Sequence, residues 1–133
     1  MDSALEDLVR RRAQFRCEYC LLPAALASTP FQFDHIIAQS HGGLTGASNL
    51  ALACFHCNNF KGPNLAGVDP ETSQVVRLFH PREDTWKDHF RWNGAHLAAL
   101  SAVGRATIQT LRLNHPLRVA VRRSLLREGV RFN

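Results

Sequence analysis

No apolar run in the chain is long enough to cross a membrane; the longest, Leu21 to Ala27, is short and broken by Pro23. There is no apolar leader at the N-terminus, no internal repeat and no low-complexity tract. Cysteine is scarce. The four present form two Cys-x-x-Cys pairs, Cys17/Cys20 and Cys54/Cys57, with none left over. That pattern argues against a scattered disulfide framework and for a reducing compartment, so a soluble cytoplasmic protein is expected. Acidic residues all but vanish from the end of the chain. Residues 103–133 hold seven arginines against the single acid Glu128, a net +6, whereas the other 102 residues carry nine basic and ten acidic side chains, a net −1. Clustered arginine suits phosphate, because a guanidinium contacts phosphate oxygens bidentately and binding releases counterions.

What is present concentrates between Cys17 and Lys61. The two-residue spacer in each cysteine pair lets both thiolates of a tight knuckle point at one ion, and four thiolates close a tetrahedral zinc site with no open position. Between the pairs, Phe31-Gln32-Phe33-Asp34-His35-Ile36-Ile37 alternates as a half-buried strand does. Gly42-Gly43 permits a turn, and Asn49-Leu50-Ala51-Leu52-Ala53 supplies a return strand. Asn58 to Lys61 reads as a short helix stopped by Gly62 and Pro63. A hairpin and one short helix bury too little apolar surface to fold alone, so zinc supplies folding free energy.

Around this unit the signals are coarser. Ser3-x-x-Glu6 is a capping-box pattern, and Leu5, Leu8, Val9 and Ala13 follow at helical spacing, predicting a helix over residues 4–15. Its Arg10, Arg11 and Arg12 could lie along a phosphate backbone or form a solvated face. A strand is predicted over residues 74–81 and another over residues 97–100. Trp86, Phe90 and Trp92 are expected to make a second small core rather than a base-stacking platform. Helices are expected over residues 106–113 and 117–127, or one helix kinked at Pro116. In the latter part Leu117, Val121 and Leu125 share a face away from Arg118, Arg122 and Arg123.

In order, Cys17-x-x-Cys20, Asp34-His35, Gly42-Gly43, Asn49-Leu50 and Cys54-x-x-Cys57-Asn58-x-x-Lys61 resemble the HNH endonuclease family, with His35, Asn49 and Asn58 at the signature positions. Ala38 stands where the family often has proline, which bears on loop stiffness rather than chemistry. The resemblance implies an α+β fold: a zinc-stapled ββα-metal core with an N-terminal helix. The core is expected over residues 1–66, and a basic strand-and-helix extension, similar to that of a subgroup of bacterial HNH proteins, over residues 67–133 of the same folded unit. It further implies that His35 is a general base, that Asp34 and Asn58 hold Mg²⁺ or Mn²⁺, and that Asn49 fixes the hairpin loop and the His35 backbone. The zinc on Cys17, Cys20, Cys54 and Cys57 is then structural.

The chemistry implied is hydrolysis of DNA, leaving a 5′ phosphate and a 3′ hydroxyl. An imidazole suits the proton transfer, since its unperturbed pKa is about 6.5. Double-stranded DNA is the expected partner, with Lys61, Arg105, Arg112, Arg118, Arg122 and Arg123 as candidate phosphate contacts. Cutting both strands with one active site would call for a homodimer, a larger complex or two sequential events. The main rival reading is a zinc-knuckle nucleic-acid-binding module without catalysis, and a second is an RNA-directed or toxin-like nuclease sharing the core. His56 lies inside the second knuckle but has no ligand position once four thiolates fill the site.

Overall fold

The computed structural model describes residues 1–133. Strand β1 (Gln32–His35) pairs antiparallel with β2 (Leu50–Ala53), setting Phe33 opposite Leu52, Asp34 opposite Ala51 and His35 opposite Leu50. Directly opposed residues share a face of the hairpin. Leu50 and Leu52 pack on Val9 of helix α1 (Ser3–Arg12), so Phe33 and His35 lie on the α1 side. Ala51 and Ala53 pack with the four cysteines, which places Gln32 and Asp34 on the other side, beneath helix α2 (Phe55–Lys61).

The ends of these helices follow from local chemistry. The Asp2 carboxylate accepts from the Leu5 amide at 2.8 Å, so the cap falls one residue before the Ser3-x-x-Glu6 pattern. The helix stops at Arg12 rather than running to residue 15. Gln14 and Phe15 take positive φ (55° and 56°) and turn the chain into the first knuckle. Helix α2 begins within the second knuckle rather than after it: Cys54 caps it, its Sγ accepting from the Cys57 amide at 3.4 Å, and Gly62 ends it at φ 51°. The connection from β1 to β2 is a loop with two short 3-10 turns, Gln39–His41 and Ala47–Asn49. Gly43 is required there, because a Cβ would sit 1.7 Å from the Ile37 carbonyl oxygen.

Beyond α2 come two more hairpins, β3 (Ala66–Val68) with β4 (Val75–Arg77) and β5 (Phe90–Asn93) with β6 (His96–Ala99). Helix α3 (Trp86–His89) precedes β5, and α4 (Ala102–Thr110) and α5 (Pro116–Arg127) complete the chain. Pro116 opens α5 at a position where its missing amide costs nothing, so there are two helices and no kink. No helix is long and apolar enough to cross a membrane. The aromatic residues do not form a separate core. Phe79, Phe90, Leu97, Leu111 and Leu113 belong to one buried cluster with Cys17, Cys20, Cys54 and Cys57, against which Trp86 and Trp92 pack. Phe79 and Phe90 meet edge to face at 5.4 Å, in the geometry the aromatic quadrupole favours.

Three of the expected phosphate contacts at the arginine-rich end, Arg105, Arg118 and Arg122, are turned to internal use. Leu117 and Val121 face solvent, 72% and 52% exposed, whereas Arg118 and Arg122 point inward at 9% and 3%. The inward face of α5 meets backbone carbonyls and thiolates, which guanidinium groups satisfy and aliphatic side chains do not. Arg105, on α4, clasps the buried Asp69 through two hydrogen bonds of 2.9 Å and reaches Glu71 at 3.2 Å. That clasp holds the Asp69 carboxyl down to about 2. Its stabilising contribution is therefore present above about pH 4 and fades as the pH falls towards 2.

Because one core joins the cysteine cluster to the aromatic residues, Phe90→Ala should destabilise the whole chain by about 3–5 kcal/mol. Urea unfolding at constant zinc, followed by tryptophan fluorescence and far-ultraviolet circular dichroism, should show the two transitions shifting together.

Candidate active site and metal centre

The sulfur atoms of Cys17, Cys20, Cys54 and Cys57 all lie within 4.8 Å of one another and all four residues are buried. A tetrahedral zinc with Zn–S bonds of about 2.3 Å places its sulfurs about 3.8 Å apart; Cys20 and Cys54 are separated by 3.8 Å. The donor set and the spacing fit a closed, structural zinc. His56 is exposed and stands outside it. A partner that the sequence pattern did not suggest is Arg118, whose Nη2 donates to the Cys57 sulfur at 2.9 Å and lies 3.8 Å from that of Cys54. Burial opposes the Arg118 charge, but the thiolates of Cys57, Cys20 and Cys54 outweigh it and hold its pKa above the ordinary value. Arg122, one turn along, donates to the carbonyls of Ala95 and Leu113.

On the opposite face, His35 ends β1 half-buried at the mouth of the loop. Its Nε2 is 2.8 Å from the Thr45 hydroxyl, which also accepts from Gln39 at 3.3 Å. Asn49 ties the same loop shut: its Oδ1 accepts from the Ile37 amide at 2.8 Å, and its Nδ2 donates to the carbonyls of Ile37 and Leu44, both at 2.9 Å. The side chain thus grips the backbone two residues beyond His35, not that of His35 itself. Arg12 adds a second clamp, donating to the carbonyls of Ala47 and Leu50 at 2.8 Å each.

Asp34 does not stand beside His35. It is 4% exposed, and its Oδ2 accepts from the Tyr19 hydroxyl at 2.6 Å. Lys61 reaches its two oxygens at 3.3 and 3.2 Å and also donates to the carbonyls of His35 and Ile36. Burial raises the Asp34 carboxyl above its usual value, while Lys61 and Tyr19 pull the other way. Asn58, on α2 beside Lys61, donates to Gln32 Oε1 at 2.5 Å. The hairpin and α2 therefore bring Asp34, Gln32, Asn58 and Lys61 onto one face, while no hydrogen bond joins His35 to Asp34 or Asn58. A carboxylate offers about four acceptor positions. Tyr19 and Lys61 take three, which leaves Oδ1 one position, and Asn58 keeps its amide oxygen. The set fits a divalent ion only as two single hard-oxygen ligands, with water or phosphate completing the shell.

The candidate phosphate contacts divide sharply. Lys61 is 2% exposed and committed to Asp34; Arg118 and Arg122 are buried against sulfur and carbonyls, and Arg105 is locked on Asp69. These four are structural. Arg112 is exposed over the Phe60 ring, 4.9 Å from its centroid, and Arg123 is exposed on α5. Thr45 and Tyr19 escaped notice in the sequence because each is one ordinary polar residue whose partner lies ten or more positions away.

Residues 17–64 match the family model described as HNH endonuclease, a span that runs from the first knuckle past the end of α2. No curated protein and no solved structure matches the chain. An HNH endonuclease match suggests a nuclease-type function and implies a nucleic-acid substrate.

Arg118→Met, which keeps the stem and removes the donor, should weaken zinc binding about 10–100-fold. Competition against a chromophoric chelator measures this directly; an unchanged affinity would show that the thiolates do not draw on Arg118.

Proposed function

We propose that the HNH endonuclease domain at residues 17–64 hydrolyses phosphodiester bonds of double-stranded DNA, with His35 as general base. The observation that carries this reading is the imidazole at the end of β1, held through Nε2 by Thr45 and resting on a hairpin stapled by the four cysteines. With the Nε2 proton donated to the Thr45 hydroxyl, Nδ1 is the nitrogen left to take a proton from the attacking water. Asn49 and Arg12 fix the loop that carries Thr45, so the ring is oriented before substrate arrives. Asp34 and Asn58 would hold Mg²⁺ or Mn²⁺, which when bound neutralises charge developing on the phosphate and on the departing 3′ oxygen. Lys61 favours the ionised form of Asp34 against its burial and pins it to the strand end. The products are a 5′ phosphate and a 3′ hydroxyl. A chain with one His35 nicks; cutting both strands takes two copies or two events. Four unpaired thiols suit the reducing cytoplasm.

A second reading, a zinc-knuckle module that binds nucleic acid without cleaving it, draws support from the closure of Asp34 under Tyr19 and Lys61.

Plasmid nicking with Mg²⁺ or Mn²⁺ separates the two, once wild type and His35→Ala are both shown to hold zinc. Wild type should nick and His35→Ala should be slower by about 10²–10⁴-fold. Binding with no metal-dependent nicking would instead favour the module, and equal nicking by both proteins would remove His35 from the mechanism. Thr45→Val should slow nicking about tenfold, the equivalent of one lost hydrogen bond, and release the Nε2–H tautomer. The ¹⁵N shifts of the His35 ring read that tautomer independently of activity.

A further inference from the structure

We propose that the phosphate backbone of duplex DNA is gripped by the last turn of α1, through Arg10 and Arg11, and not by Arg123 and Arg127 of α5. The location of the reacting phosphate rests on the nuclease reading of His35; the grip itself does not.

Three of the seven C-terminal arginines are spent inside the protein, and a fourth, Arg112, lies over the Phe60 ring of α2. Arg105, Arg118 and Arg122 are committed to Asp69, to the thiolates and to buried carbonyls. The exposed arginines that remain on α5, Arg123 and Arg127, sit on a helix docked against the cysteine centre. That centre lies on the α2 side of the hairpin, whereas His35 lies on the α1 side. A strand held by α5 would lie on the side of the thiolates, away from the imidazole.

The N-terminal helix is on the correct face and is fixed there. Arg12 binds the carbonyls of Ala47 and Leu50, either side of Asn49, so the end of α1 cannot move independently of the catalytic loop. Two residues back, the Arg10 guanidinium lies 5.0 Å from the centroid of the Phe33 ring. Phe33 precedes His35 by two residues on the same face, about 7 Å along the strand. Each nucleotide advances about 3.4 Å along a duplex strand, so Arg10 and His35 would serve phosphates a few nucleotides apart. The only acid on Arg10 is Asp7 at 3.4 Å, with the two side chains 40% and 59% exposed, a pair too loose to withhold the charge from phosphate. Arg11, between the perch and the clamp, is exposed. A cation in a last turn also meets the negative end of the helix dipole. That accounts for the charge but not for its being clamped and perched beside the hairpin.

Salt titration of binding to a duplex oligonucleotide, with full-length zinc-loaded protein and no added divalent ion, tests this. Each phosphate contact contributes about 0.9 to the slope of log K against log salt concentration. The double variant Arg10→Gln/Arg11→Gln should lower the slope by about 2, and Arg11→Gln alone by about 1. Arg123→Gln/Arg127→Gln should leave it unchanged. Arg11→Gln guards against misfolding as the cause, since that side chain is exposed; circular dichroism and zinc content are checked for each variant. The proposal falls if the α5 pair lowers the slope and the α1 pair does not, if both pairs lower it equally, or if wild type shows no salt-dependent binding. Wild type that binds with the predicted slopes but does not nick would overturn the nuclease reading and leave this surface standing.

Discussion

The convergence of four thiolates on one point is the constraint from which the remaining structure follows. Zinc with four thiolates carries about −2 of charge in a site closed to water, and an uncompensated charge of that size in an apolar core would cost several kcal/mol. The chain answers with arginine. Arg118 donates to the Cys57 sulfur, and Arg122 lies one turn further along the same inward face. Helix α5 is therefore docked by two arginines, with Val119 the one aliphatic side chain it buries, where a globular helix is ordinarily docked by a whole aliphatic face. This accounts for the exposure of Leu117 and Val121, which would be anomalous in a helix held by its apolar face.

That inversion also shows where sequence reasoning reached its limit. The zinc frame, the hairpin and the short helix were legible because each rests on local spacing: two cysteine pairs, an alternating strand, and a glycine where the backbone must turn. The α+β class and the match over residues 17–64 agree with that reading. The burial of Arg118 and Arg122 was not legible, because periodicity groups residues by face while a tertiary demand for positive charge decides which face turns inward. Net charge by segment was likewise a poor guide to a binding surface, since three of the seven arginines in residues 103–133 are used internally.

At the candidate site, alternation along the strand was legible in the sequence, and the partners that surround each side chain were not. Asp34 and His35 are adjacent in sequence, yet the pleat sends them to opposite sides of a thin hairpin. Asp34 joins Tyr19 and Lys61 in a closed polar cluster, while His35 faces the loop rim with Thr45. The loop clamps by Asn49 and Arg12 are long-range contacts to backbone carbonyls, which no motif at fixed spacing encodes.

The pairing of His35 with Leu50 and of Asp34 with Ala51 has a consequence for metal fidelity. A slip of one residue would exchange the two faces, driving the imidazole towards the thiolates and expelling the carboxylate into the apolar contact with α1. Imidazole is itself a competent zinc ligand, so the slipped hairpin would be a metal-trapped misfold rather than a merely weaker fold. The approach of Gly43 to the Ile37 carbonyl and the Asn49 bridge across the same loop lock the register against that outcome. The loop thus bears on metallation as well as on shape, keeping the His35 imidazole on the side of the sheet away from the thiolates.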